Sequence, residues 1–219
     1  MILKYITTIS FIWGCALSVQ RDTDGKTPLI LAAETGHIDL VKSLVDTGEN
    51  IEETDNSGNT ALIRATWNNH APIVEFLLSK GANIEHAKKK GQTPIMYAAG
   101  RGSLNLINLL IDKGADIEKR DVDGNNALIW AAREGSADAV KALLSRGSKI
   151  DVRGRDQKTL LIYAAETGHL DTVKYLVNNG VDIEAGDNAG NTALQWATRN
   201  NHADIVEFLL SKVQIQKTL

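Results

Sequence analysis

The chain has 219 residues, 43% of them hydrophobic, and a formal net charge of −3. That is enough apolar material for a large core, which excludes a disordered chain, and the near-neutral charge argues against general nucleic-acid binding. A single cysteine excludes an intramolecular disulfide framework and a cysteine-rich zinc site, and charge scattered through everything after residue 20 excludes a membrane bundle.

Residues 1–20 differ from the rest. Lys4 is their one charge, the apolar run Tyr5 to Trp13 follows it, and the small residues Gly14, Cys15, Ala16 and Ser18 come next. This order reads as an export signal, and the run is too short for a spanning helix. Gly14-Cys15-Ala16 and Ala16-Leu17-Ser18 both suit ordinary signal cleavage. Ile12-Trp13-Gly14-Cys15, Trp13 apart, resembles a bacterial lipoprotein box that would lipidate Cys15, the one expected link to a membrane. The alternative is an apolar segment packed on the structure that follows. Export places the protein in the periplasm, on the outer membrane as a lipoprotein, or outside the cell. Without a signal it would be cytoplasmic.

From residue 22 a period of 33 accounts for the chain. Gly25, Gly58, Gly91, Gly124 and Gly190 are spaced by 33 or twice 33, with Gln157 in the missing slot. Six units follow without insertion: 22–54, 55–87, 88–120, 121–153, 154–186 and 187–219. In each, Thr27, Thr60, Thr93, Asn126, Thr159 or Thr192 stands where a short helix begins and can cap it. Pro28 and Pro94 follow at the first helical position, where a missing N–H costs nothing. Small pairs such as Ala32-Ala33, Ala98-Ala99 and Ala164-Ala165 let neighbouring helices approach. Gly36, Asn69, Gly102, Gly135, Gly168 and Asn201 occupy the stop, being the two residue types that tolerate a left-handed C-cap. A second apolar helix ends at Gly48, Gly81, Gly114, Gly147 or Gly180. A short extended piece, such as Asn83-Ile84-Glu85, leads to the next turn. One unit cannot bury its apolar face alone, so the units must stack as a solenoid.

Gly25-Lys-Thr-Pro-Leu-Ile-Leu-Ala-Ala33 and Gly91-Gln-Thr-Pro-Ile-Met-Tyr-Ala-Ala99 resemble the signature of the ankyrin-repeat family, and six units match in phase over residues 22–212. The resemblance implies an all-α solenoid of helix-turn-helix and hairpin units that binds other proteins through its hairpin tips and inner helix surface. Ile30, Ile63, Met96, Ile129, Ile162 and Gln195 stand where that family usually carries a histidine. Residues 58–80 and 190–212 agree at 19 of 23 positions, and 32–45 and 164–177 at 11 of 14, both at an offset of 132. Tandem duplication of a four-unit block is the simplest account. Gln195 suits an end unit, residues 213–219 read as a frayed tail, and Arg153-Gly-Arg-Asp-Gln157, which lacks the turn glycine, predicts an irregular hairpin.

Catalytic, cofactor and metal sites are not expected. Gly25-Lys26-Thr27 lacks the strand and first glycine of a phosphate loop, and Asp22-Thr-Asp-Gly25 and Asp121-Val-Asp-Gly124 lack the remaining calcium ligands. His37, His70, His169 and His202 recur because the repeat recurs. Glu52, Glu85, Glu118, Asp151 and Glu184 form a column with one carboxylate per unit, read as solvated. No nucleophile elbow or zinc-protease helix is present, so the chain reads as a non-enzyme.

The expected partner is another protein, bound by a monomer. Carried over by position, one inner column reads Leu31, Arg64, Tyr97, Trp130, Tyr163, Trp196, and three residues on, Glu34, Trp67, Gly100, Arg133, Glu166, Arg199. Trp, Tyr and Arg are hot-spot residues, which makes Trp67, Tyr97, Trp130, Arg133, Tyr163, Trp196 and Arg199 candidates, although the aromatic column could equally be packing. Unit one has two basic and eight acidic residues, net −6, and unit three seven and three, net +4. Lys88, Lys89, Lys90, Arg120, Arg153, Arg155 and Lys158, with Arg101 beside them, form a basic set on the hairpin tips that would suit an acidic protein segment. The other functional reading is an envelope glycan or small-ligand binder that uses the aromatic ladder.

Overall fold

The computed structural model describes residues 21–216. The segment read as an export signal, Cys15 with it, and residues 217–219 lie outside the described residues. Among those described, twelve α-helices follow in six pairs: α1 (Pro28–Thr35) with α2 (Ile38–Asp46), α3 (Ala61–Trp67) with α4 (Ala71–Ser79), α5 (Pro94–Gly100) with α6 (Leu104–Asp112), α7 (Ala127–Arg133) with α8 (Ala137–Ser145), α9 (Leu160–Glu166) with α10 (Leu170–Asn178), and α11 (Ala193–Arg199) with α12 (Ala203–Gln216). The odd-numbered helices form one row and the even-numbered ones another, and the odd row is the more closely packed. Fully buried alanines cause this: Ala65, Ala98, Ala99, Ala131, Ala132, Ala164 and Ala165 leave no side chain to hold those helices apart. Tighter spacing along one row makes it the inner row.

The caps form as the sequence predicts except at Thr93, whose buried hydroxyl makes no cap bond. The side-chain oxygens of Thr27, Thr60, Asn126 and Thr159 accept the N–H of Ile30, Ile63, Ile129 and Ile162 at 3.1–3.3 Å, each contributing about 1 kcal/mol. Gln195 serves its own helix, since its Oε1 accepts the Thr192 N–H at 2.7 Å. Ile30, Ile63, Met96, Ile129 and Ile162, which replace the family histidine, are all at most 1% exposed and belong to the core.

The stops are left-handed as expected, including Asn69 and Asn201 at φ 60° and 61°. The histidines at the start of the second helices use them. His70, His169 and His202 each donate from Nε2 to a carbonyl of the preceding unit, that of Glu34, Arg133 and Glu166, at 3.1 Å. The carbonyl can only accept, which fixes the proton on Nε2. Each ring lies over the preceding unit's stop glycine. A Cβ built on Gly36, Gly135 or Gly168 would come within 2.8, 2.2 and 2.7 Å of His70, His169 and His202.

Three local expectations are corrected or sharpened. Asn83-Ile84-Glu85 is a turn rather than an extended piece, because Asn83 Oδ1 accepts the Glu85 N–H at 2.9 Å. The tail does not fray at residue 213: α12 runs to Gln216, because Val213 fills the slot that ends the other second helices with a left-handed glycine. The irregular hairpin is a 3-10 turn, Arg155–Gln157, in which Asp156 and Gln157 take φ of 56° and 58° in place of the missing glycine, beside an isolated bridge between Arg153 and Thr159.

Candidate functional site: the inner helix row and hairpin tips

The inner column is built by a rule that alternates along the chain. In units two, four and six the turn opens with Asp55, Asp121 or Asp187. That carboxylate is held by an N–H from the column: Arg64 Nε at 3.0 Å, Trp130 Nε1 at 3.0 Å and Trp196 Nε1 at 2.9 Å. Units three and five have Lys88 and Gly154 there, and the column residue is a tyrosine. Tyr163 Oη donates to Asn125 Oδ1 at 3.0 Å, and Gly154 makes room for it, since a Cβ there would come within 2.6 Å of that hydroxyl.

Burial divides the aromatic candidates. Trp67 is 41% exposed, whereas Tyr97 and Tyr163 are 4% and 5% exposed. The two tyrosines are therefore corrected from contact residues to packing between units, because their rings lie between neighbouring inner helices. Burial pushes both hydroxyls up to about 12. Trp67, Tyr97 and Trp130 form an edge-to-face chain with centroids 5.2 and 5.9 Å apart. Cations lie over the indoles: Arg101 on Trp67 at 5.1 Å, Arg133 on Trp130 at 4.5 Å and Arg199 on Trp196 at 4.8 Å. Trp130 and Trp196 are half-buried, so their arginines form the outer layer.

The basic tips are not one free platform. Arg120 Nη1 donates to the carbonyls of Gly124 and Arg153, and Arg153 Nη1 to those of Gln157 and Gly186, at 2.7–3.0 Å. Arg21 does the same with Gly25 and Thr54. These arginines staple one hairpin to the next. Lys158 is also corrected: its side chain is 12% exposed, its Nζ meets both Glu166 oxygens at 2.7 and 2.8 Å, and it lies 3.7 Å from the Trp196 ring centre. Arg155 is exposed and faces Asp123 at 3.4 Å. Lys89 and Lys90 are exposed, and Lys88 lies 5.4 Å from the Tyr97 ring centre.

The carboxylate column is structural in its first three members, while Asp151 and Glu184 are exposed as expected. Glu52, Glu85 and Glu118 each accept, through Oε1, a backbone N–H of the next unit, from Asn83, Asp116 and Lys149, at 2.8–3.0 Å. Sequence reasoning missed this ladder and the histidine locks. The signal for both was recurrence at 33 residues, which marks a job every unit must do. Among the described residues no three His, Cys, Asp or Glu side chains gather as metal ligands, and no helix is long and apolar enough to cross a membrane. A polar, open groove of about 350 Å³ is lined by Glu118, Arg120, Lys149, Asp151, Val152, Arg153 and Gln157.

The family model described as Ankyrin repeats (3 copies) matches residues 4–88, 85–154 and 149–219. The chain belongs to the ankyrin-repeat family, whose repeats generally mediate protein–protein interaction. No curated protein matches the chain.

Proposed function

We propose that the protein is a non-catalytic scaffold, exported through residues 1–20, that holds a partner protein with an acidic segment against the inner helices and hairpin tips of units two to five. The observation that carries this reading is the outer layer of the inner row: Arg101 lies over Trp67 and Arg133 over Trp130, at the ends of helices packed on a buried apolar core. A rigid array of aromatic and arginine side chains is what binding hot spots are made of. A glycan reading needs open ring faces, and the burial of Tyr97 and Tyr163 with the cation cover on Trp130 and Trp196 weighs against it.

The test is affinity capture with the full chain, followed by mass spectrometry, comparing wild type with Trp67→Ala and Arg133→Ala. A partner retained by wild type and lost from both variants is the expected result. Equal retention by all three overturns the inner-row assignment. N-terminal sequencing of the native protein tests export: it should begin between Cys15 and Val19, and an intact Met1 chain in the cytosol overturns it. If Cys15 carries lipid, Cys15→Ala releases the protein from membranes.

A further inference from the structure

Units three and five invite comparison, because both place a tyrosine in the inner column and neither has the turn aspartate. Unit five has its polar groups satisfied within the chain. Tyr163 Oη is bonded to Asn125, and Lys158 is neutralised by Glu166. In unit three those last two places hold Gln92 and Gly100, so the internal acid is missing. The consequences are visible in the structure. Tyr97 is 4% exposed, and its hydroxyl, like the Gln92 side-chain oxygen, has no hydrogen-bond partner. Lys88 stands where units two, four and six keep a carboxylate. The Lys88 ammonium and the Arg101 guanidinium flank the Trp67–Tyr97 ring pair at 5.4 and 5.1 Å, and neither has an acidic partner among the described residues. Arg64, by contrast, has Asp55 and Glu34, and Arg133 has Glu134, while Arg199 in the end unit stands on Trp196 without an ion pair among the described residues.

We propose that unit three takes the acid it lacks from its partner: aspartates or glutamates of an exposed acidic segment, their carboxylates paired with Lys88 and with Arg101, and the chain between them lying on Trp67. This rests on the protein-binding reading of the inner row and names the chemistry it selects. The chain as a whole is negative while unit three is +4, so the attraction is local to this face. The occupant is a carboxylate because units two, four and six carry one at the position of Lys88 and unit five carries one at the position of Gly100, whereas unit three has neither.

The experiment selects random 12-residue displayed peptides on the immobilised full chain, then titrates the recovered peptides by fluorescence anisotropy. Wild type is compared with Gly100→Glu, Arg101→Gln and Trp67→Ala. Gly100→Glu installs the acid of unit five. Gly100 lies within α5, and a Cβ there would make ordinary contacts at 3.4 Å with Trp130 and Glu134, so the variant should fold, which thermal melts check. Peptides rich in Asp and Glu are expected. Exchanging those residues for Asn and Gln, or introducing Gly100→Glu or Arg101→Gln, should each weaken binding about tenfold or more. Recovery of no peptide, of non-acidic peptides, or of peptides that bind Gly100→Glu and Arg101→Gln like wild type overturns the proposal. So does tighter binding of poly(U) RNA by the same cations. If Trp67→Ala alone abolishes binding, the inner-row reading survives without the acid. If no variant changes it, both readings fall.

Discussion

Asp55 shows how a single residue is held in this repeat. Its burial alone would raise the carboxyl pKa, but the backbone and side-chain N–H groups of Asn59 and the guanidinium of Arg64 outweigh that and hold it below its ordinary value. A carboxylate depressed in the folded state stabilises above its unfolded pKa of about 3.9 and loses that contribution as pH falls through the folded value. Thermal melts between pH 6 and pH 2.5 should therefore show Asp55→Asn declining less than wild type on acidification. Parallel declines would show that Asp55 is not coupled to folding. The glycines offer a second measurement at this scale. Gly135 and Gly147 are both left-handed, at φ 79° and 98°, but only Gly135 has a ring where its Cβ would go. Both alanine variants carry the left-handed penalty of about 1–2 kcal/mol. Gly135→Ala adds overpacking and should be worse by ~1–3 kcal/mol in urea denaturation. Equal losses would show that His169 simply swings away.

Individual helices follow local rules that can be read in a string of letters. The caps at Thr27, Thr60, Asn126 and Thr159 and the turns at Gly36 and Asn69 depend only on near neighbours, so they were legible. The apolar face was legible for the same reason, and Leu143 in α8 is 0% exposed, as its phase requires. Leu143→Ala should cost ~2–5 kcal/mol, and a loss below about 0.5 kcal/mol, typical of surface positions, would contradict that packing. What stayed hidden depends on which side chains and carbonyls the folded hairpins and the next unit bring together. Whether Lys158 is a free tip cation or a neutralised one depends on Glu166 and on Trp196 in the next unit. Arg120 looks like surface charge until its carbonyl partners are seen. The length of α12 was legible in Val213, where a missing glycine signals continuation rather than fraying.

Across the whole molecule, stability is a matter of nearest neighbours. Each internal unit shares a core with two others, and different joints add a histidine lock, an arginine staple or a rung of the glutamate ladder. The α11–α12 pair packs on one neighbour among the described residues. In a one-dimensional stack that difference sets where opening begins. Backbone amides of α11 should exchange with deuterium at least about tenfold faster than those of α7. Equal protection would mean that the array opens as a single cooperative block. For binding, a face built from several units is only as rigid as the joints between them, and the inner row around Trp67, Arg101 and Arg133 belongs to units that each pack on two neighbours.

The contact between each stop residue and the first residue of the next second helix also governs which units can be spliced together. Reading along the chain, the joints are Gly36–His70, Asn69–Ser103, Gly102–Ser136, Gly135–His169 and Gly168–His202. A histidine always follows a glycine, and the one asparagine with a successor is followed by a small serine. The repeats are thus words with a grammar, and duplication or loss within such a gene is filtered by it. Removing residues 55–120 sets Gly36 against Ser136, an allowed pair. Removing 88–153 deletes the same length but sets Asn69 against His169, placing a side chain where the ring must lie. The second variant should melt at the lower temperature, and the reverse order would mean that other joints, rather than this one, decide which recombinants fold.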